Sequence, residues 1–166
     1  APTTPAICFE GVTLEQPAQA KYLGVVLDKR LTFSPHLKAV TKNCGQRMQK
    51  LRWLLNKRSN MSIGAKRAVY VHCIIPIWLY GVQIWGIAAK SNYKRIQVLL
   101  NRVLRQITNC PWYVRGSTLH RDLNLHNVEE QIGRHTSRYS DRLLRHRSSL
   151  ARRLLPARPL RRLKRL

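Results

Sequence analysis

Hydrolysis, phosphoryl transfer and nucleotide polymerisation need carboxylates, imidazoles or thiols held in pairs, and this chain is poor in such pairs. Its seven acids are Glu10, Glu15, Asp28, Asp122, Glu129, Glu130 and Asp141. Asp28 and Asp122 are consecutive, so the 93 residues between them contain no carboxylate but 18 Lys and Arg. Clamping metal ions against attacking and leaving oxygens takes at least two carboxylates held together. Asp28 stands alone. Glu129 and Glu130 fall at a predicted helix start, where the helix dipole and capping already account for acids. The six histidines, among them His36, His72 and His120, show no HExxH spacing, and no Gly-rich phosphate loop is present. Cys8, Cys44, Cys73 and Cys110 lie 36, 29 and 37 apart with no CxxC pair. They read as reduced, mostly buried thiols of an intracellular protein rather than zinc ligands. The expectation is a chain with no catalytic residue, no metal ligand and no cofactor of its own.

What the chain has instead is positive charge: 31 Lys and Arg against 7 Asp and Glu, a formal +24 over 166 residues. The excess is uneven. Residues 1–33 balance three bases with three acids, residues 34–133 carry 16 against 3, and residues 134–166 carry 12 against 1. Like charges at helical spacing repel, so cationic faces without acids destabilise the fold unless a polyanion neutralises them. Nucleic acid is the polyanion expected.

The elements that must position these cations read mostly as helices. Residues 7–14 and 22–27 are short apolar and β-branched runs that fit two strands of a small sheet. Ser34 before Pro35 reads as a helix cap, with the helix running to about residue 58. Its apolar residues Leu37, Val40, Cys44, Met48, Leu51 and Leu55 share a stripe, with Lys38, Lys42, Lys50 and Lys57 opposite. Ser62 caps a second predicted helix, which ends near Gly81. The 22 residues 68–89 carry no charge, but Pro76, Gly81, Gly86, His72 and Gln83 interrupt the run, so a buried helix is expected rather than a membrane span.

Asn92 is read as the cap of a third helix, ended by Pro111, with Ile96, Leu99, Leu100, Val103, Leu104 and Ile107 inside and Lys94, Arg95, Arg102 and Arg105 outside. A turn near residues 117–123 follows. Asn127 with Glu130 then makes a capping box for a fourth helix, along which Arg134, Arg138, Arg142 and Arg145 form a third cationic ridge. Trp53, Tyr70, Trp78, Tyr80 and Trp85 are expected in the core. Trp112 and Tyr113, beside Arg115, are the aromatics free to meet bases.

The segment KYLGVVLDKRLTFSPHL at residues 21–37 resembles the end of the palm and entry to the thumb in reverse transcriptases of jockey-like non-LTR retrotransposons. The likeness continues through IPIWLYGVQIWG (75–86), KSNYKRIQ (90–97), NRVLRQIT (101–108), PWYVRG (111–116) and RRLKR (161–165). Leu100 and Cys110 depart from the usual glutamine and alanine, and no cysteine–histidine zinc motif follows. The resemblance implies a parent polyprotein that nicks DNA and copies its RNA onto the exposed 3′ end. The metal-binding aspartates, and the magnesium they hold, belong to an upstream palm. Tyr22, Leu23 and Gly24 would match the primer grip, where a glycine permits close backbone approach.

The reading is therefore a mainly α protein, a helical bundle of thumb and carboxy-terminal helices preceded by a short β-hairpin remnant of the palm. Residues 1–33 are the palm-end strands and the least stable part, 34–148 the helical region and 149–166 a basic Leu and Arg tail. The expected nucleic-acid-binding residues are Tyr22, Leu23, Gly24, Lys38, Lys42, Lys50, Arg95, Arg102, Arg105, Arg134, Arg138 and Arg142, contacting RNA and DNA as template-primer through phosphates. The upstream palm and fingers are the expected protein partners, no membrane is expected, and the compartment is intracellular and nuclear. Two alternatives stay open: a basic amphipathic membrane-surface or protein-interaction module, and a transposon remnant without function.

Overall fold

The computed structural model describes residues 7–154. The mainly α reading holds. Two antiparallel hairpins precede a run of helices. They are β1 (Ile7–Phe9) with β2 (Val12–Leu14), and β3 (Gln19–Tyr22) with β4 (Val25–Asp28). The expectation of one sheet built from two longer strands is corrected. Glu10 and Gly11 (φ 49° and 78°) turn the first segment back on itself, and Leu23 and Gly24 (φ 44° and 81°) turn the second. Positive φ at both central residues is the tight turn that suits the twist of paired strands, so each segment pairs within itself. Ile7, Val12 and Leu14 of the first hairpin are exposed. Val25 of the second is 3% exposed and enters the core.

Helix α1 (Ser34–Lys50) begins one residue earlier than a serine cap would place it. The cap position is Phe33, left-handed at φ 56° and buried, with no side-chain cap bond. Asp28 takes over: its carboxylate accepts from the Thr32 N–H at 3.1 Å, the Thr32 hydroxyl at 2.9 Å and the Phe33 N–H at 2.8 Å. Partial burial works to raise the Asp28 pKa, but these bonds outweigh it and hold the carboxyl below its ordinary value. The helix does not reach residue 58. It bends at Leu51 and resumes as α2 (Arg52–Leu55), which carries the fully buried Leu55 against the later helix α6 (Lys90–Thr108).

The uncharged stretch folds as three pieces. In α3 (Ile63–Cys73) Ser62 caps as expected, accepting from the Ala65 N–H at 3.2 Å. Pro76 lacks an N–H and its ring would strike the carbonyl one turn back, so α3 stops and α4 (Ile75–Leu79) restarts with the proline in its first turn. Gly81 does not end a long helix but turns α4 into α5 (Val82–Trp85) at φ 64°. A Cβ there would lie 2.9 Å from Val25 Cγ2. Among the described residues no helix is long and apolar enough to cross a membrane.

Helix α6 is capped by the Ala89 backbone rather than by Asn92, whose side chain reaches back toward the Thr32 carbonyl at 3.5 Å. It ends before Pro111, at left-handed Asn109. The expected turn is a short helix, α7 (Gly116–Asp122). The capping box of α8 (Val128–Leu144) forms as read: Asn127 Oδ1 accepts from the Glu130 N–H at 2.9 Å while Glu130 Oε2 accepts from the Asn127 N–H at 3.1 Å. A short α9 (Ser149–Arg153) follows, and the rest of the basic tail lies outside the described residues.

The core gathers on Trp85, which is wholly buried. Its rings lie 6.3 Å from His36 of α1, 6.5 Å from Trp78 of α4 and 6.2 Å from Tyr93 of α6. Its indole N–H donates to the Tyr80 carbonyl at 2.8 Å, and the Tyr93 hydroxyl donates to the Gly86 carbonyl. Burying an indole removes roughly 200 Å² from water, on the order of 5 kcal/mol. Tyr80 itself is exposed, contrary to the core role expected of it, because its hydroxyl reaches out to donate to the Leu23 carbonyl at 2.8 Å. Trp53 is exposed too, since it lies between the inward positions of Leu51 and Leu55. Of the thiols, Cys44 is buried and its pKa is pushed up to about 11 by that burial, whereas Cys8 and Cys73 are exposed and Cys110 half-buried.

Three outcomes are expected. Asp28→Ala, by freeing the donors ahead of α1, lowers unfolding free energy by about 1–2 kcal/mol in urea titrations; a change below about 0.5 would show that the Asp28 bonds contribute little. Tyr80→Phe speeds amide exchange at residues 22–25 severalfold while costing about 1 kcal/mol or less globally; unaltered exchange there would refute the clamp. The third concerns acid. His36, His120 and His135 are each held below the usual imidazole value of 6.5 chiefly by burial, with Arg138 and Arg134 adding to the effect at His135. The unfolded chain therefore protonates first, so this stability is full above about pH 6.5 and is lost as pH falls below it. His36 is the sharpest case, because its Nδ1 accepts the Val26 N–H at 3.3 Å and protonation removes that acceptor. His36→Gln should flatten the fall in urea midpoint between pH 7 and 5, and a midpoint rising over that range would contradict the assignment.

Candidate nucleic-acid interface

Three helices carry the cations, and the same periodicity that buries one side of each exposes the other. On α1, Leu37, Val40 and Cys44 are buried while Lys38, Lys42 and Lys50 are exposed. On α6, Ile96, Leu100, Val103, Leu104 and Ile107 are buried while Arg95 and Arg102 are exposed. On α8, Val128, Ile132 and Leu143 are buried while Arg134, Arg138 and Arg142 are exposed. Helix α6 packs against both α1 and α8, so the three cation-bearing helices share one core.

Arg105 differs from the rest. It is half-buried and its Nη2 donates to the Val114 carbonyl at 2.8 Å, which fastens the loop after α6. Two further cations serve the inside. Lys66, 5% exposed, donates from Nζ to the Asn56 carbonyl at 2.9 Å and to the Ser59 carbonyl at 3.3 Å. Arg67 donates to the carbonyls of Leu123 at 2.7 Å and Asn124 at 3.1 Å, closing the end of α7 onto α3. Nothing in the residue order marked these two, since a buried lysine looks like an exposed one until its carbonyl partners are known.

Four of the seven acids are held in contacts within the fold. Glu129 pairs with Lys90 at 2.6 Å, Asp122 with Arg121 at 3.5 Å and Glu130 with His126 at 3.4 Å, alongside the bonds of Asp28 and the capping box. Arg134 also contacts His126 Nε2. Among the described residues no three His, Cys, Asp or Glu come together as a metal site. A cleft of about 570 Å³ between α6, α7 and the start of α8 is floored by a network that sequence reading did not anticipate. There Gln97 Nε2 lies 2.8 Å from both Asn101 Oδ1 and His120 Nε2, and Gln97 Oε1 accepts from the Val128 N–H at 2.8 Å.

The tip of the second hairpin projects. Tyr22 and Leu23 are 67% and 73% exposed, and Leu23 occupies a left-handed conformation that leucine rarely adopts. A Cβ on Gly24 would lie 3.1 Å from Tyr80 Cε1. Two segments distant in sequence, Leu23–Gly24–Val25 and Tyr80–Gly81, therefore meet in space.

Comparison with known proteins finds close relatives for nearly the whole chain. It is 77% identical over 164 residues to the "Probable RNA-directed DNA polymerase from transposon BS" of Drosophila melanogaster. It is 49% identical over 163 residues to the "Probable RNA-directed DNA polymerase from transposon X-element" of the same species. Against the "RNA-directed DNA polymerase from mobile element jockey", also of Drosophila melanogaster, it is 34% identical over 150 residues. These matches cover 99%, 98% and 90% of the chain but only 18%, 18% and 16% of those proteins. No family model and no solved structure matches. The chain is therefore related, over nearly its whole length, to a segment making up 16–18% of the RNA-directed DNA polymerases of jockey-like non-LTR transposons, and is a fragment by comparison with them.

Proposed function

We propose that this segment grips template-primer for the parent polymerase through phosphate contacts, without catalysing polymerisation itself. The observation that carries the reading is the outward set of Lys38, Lys42, Lys50, Arg95, Arg102, Arg134, Arg138 and Arg142 on three helices of one core. The acids in ion pairs are engaged with Lys90, Arg121 and His126 rather than with these eight. Phosphate contacts position a duplex without reading its sequence, which suits a surface that must follow a moving template. The hairpin tip, clamped by Tyr80 and left open at Tyr22 and Leu23, is shaped to meet the primer terminus. Arg105 supports this surface by fastening its loop. The aspartates and magnesium of polymerisation would be supplied by the upstream palm, and the nucleus is where such a protein would meet target DNA.

Binding to an RNA–DNA hybrid should weaken steeply with salt. About eight phosphate contacts give a slope of log affinity against log salt near −7, and Arg138→Ala should reduce its magnitude by about 1 for every sequence tried. The chain with magnesium should not extend the primer. A flat salt response would sink the phosphate reading. Stronger capture by anionic vesicles than by hybrid would favour a membrane surface instead.

A further inference from the structure

Trp112 is 85% exposed and Tyr113 69%, beside the exposed Arg115. These two rings stand on a fastened loop. On one side, Asn109 closes α6 in a left-handed conformation and the Cys110 N–H donates to the Arg105 carbonyl at 3.1 Å. In the middle, the Val114 N–H donates to the Pro111 carbonyl at 3.2 Å, and the Val114 carbonyl receives the Arg105 guanidinium. Val114 and Cys110 pack against the core. On the far side, Gly116 lies flush against the Asn101 amide, where a Cβ would sit 2.3 Å from Nδ2. The rings meet nearly at right angles, 80°, with centroids 6.1 Å apart. An edge-on partner leaves ring faces uncovered.

We infer that loop residues 111–116 form a stacking platform for unpaired nucleobases, with Trp112 offering the principal face, Tyr113 bracing it and Arg115 reaching the adjoining phosphate. Charge selects this occupant. The loop carries no carboxylate and holds the exposed Arg115 beside the rings, so a stacked base brings its phosphate to a cation. Every base has a π-face, so the platform is tolerant of sequence. It discriminates single strands from duplex, whose bases are already stacked on one another. The inference rests on the nucleic-acid reading above but adds a contact that phosphate grip alone does not need.

The test separates the two. Trp112→Ala, Tyr113→Ala and Trp112→Phe chains are titrated against an oligo(dT) single strand and against a blunt RNA–DNA hybrid, each as a salt series. Stacking is worth about 1–3 kcal/mol per base, so Trp112→Ala should weaken single-strand binding roughly tenfold to a hundredfold. Hybrid affinity should change less than about twofold, and the salt slope should not change because no cation is lost. Trp112→Phe should recover most of the affinity. An unchanged unfolding midpoint is expected for these exposed side chains and guards against misfolding. Equal loss on both ligands, or no loss on the single strand, overturns the platform. If the unsubstituted chain shows no salt-dependent binding to hybrid, the phosphate grip fails, and the single-strand titrations alone then decide the platform.

Discussion

The burial of one indole underlies what this protein displays to solvent. Trp85 contacts rings from α1, α4 and α6, so it sits where three helices converge, with α1 also packed on the other two. Its N–H gains by finding an acceptor in the interior, since an unsatisfied buried donor costs about 1–3 kcal/mol. The Tyr80 carbonyl is that acceptor. Fixing Tyr80's backbone aims its side chain outward, and its hydroxyl then holds the carbonyl of Leu23 at the hairpin tip. A chain of contacts thus runs from the centre of the core to an exposed, strained turn. The tip projects from a tether whose other end is bonded to the buried Trp85.

Around that centre the scarce acids and a few cations do complementary jobs. Asp28 holds the junction between hairpin and first helix, Glu130 starts the last long helix, and Lys66, Arg67 and Arg105 donate to carbonyls at helix ends and in loops. With only seven carboxylates and four of them so engaged, the remaining cations have few internal counter-ions. The mutual repulsion of such a surface is the energetic counterpart of affinity for a polyanion. Stability and binding draw on one charge distribution, so charge-neutralising substitutions on α1, α6 or α8 should tend to raise stability as they weaken binding.

Much of this was legible in the residue order because it is periodic or local. The inside and outside of α1, α6 and α8 follow from a 3.6-residue repeat, which assigns each cation to the face opposite its apolar stripe whatever the helix packs against. The Ser62 cap and the Asn127 and Glu130 capping box are completed within four residues, so no distant partner was needed to recognise them. The resemblance through the 21–37 and 75–86 segments also stands, since matched sequence is itself the observation.

Non-local contacts decided the rest. Ser34 and Asn92 are suitable caps by type, yet Asp28 holds the approach to α1 from four and five residues back, and Asn92 lies inside α6 with its side chain turned toward the remote Thr32 carbonyl. Tyr80 and Trp53 carry apolar rings that sequence assigns to a core, but one has a distant carbonyl to reach and the other falls between two inward positions. Arg105 matched its neighbours in pattern and was separated from them only by the Val114 carbonyl. The sequence alone determined where the long helices α1, α6 and α8 run and which side of each is charged, because those depend on neighbours one turn away. Only the tertiary structure decided which cations face solvent, which acids are already engaged and which aromatics stand free, because each depends on partners supplied by residues remote along the chain.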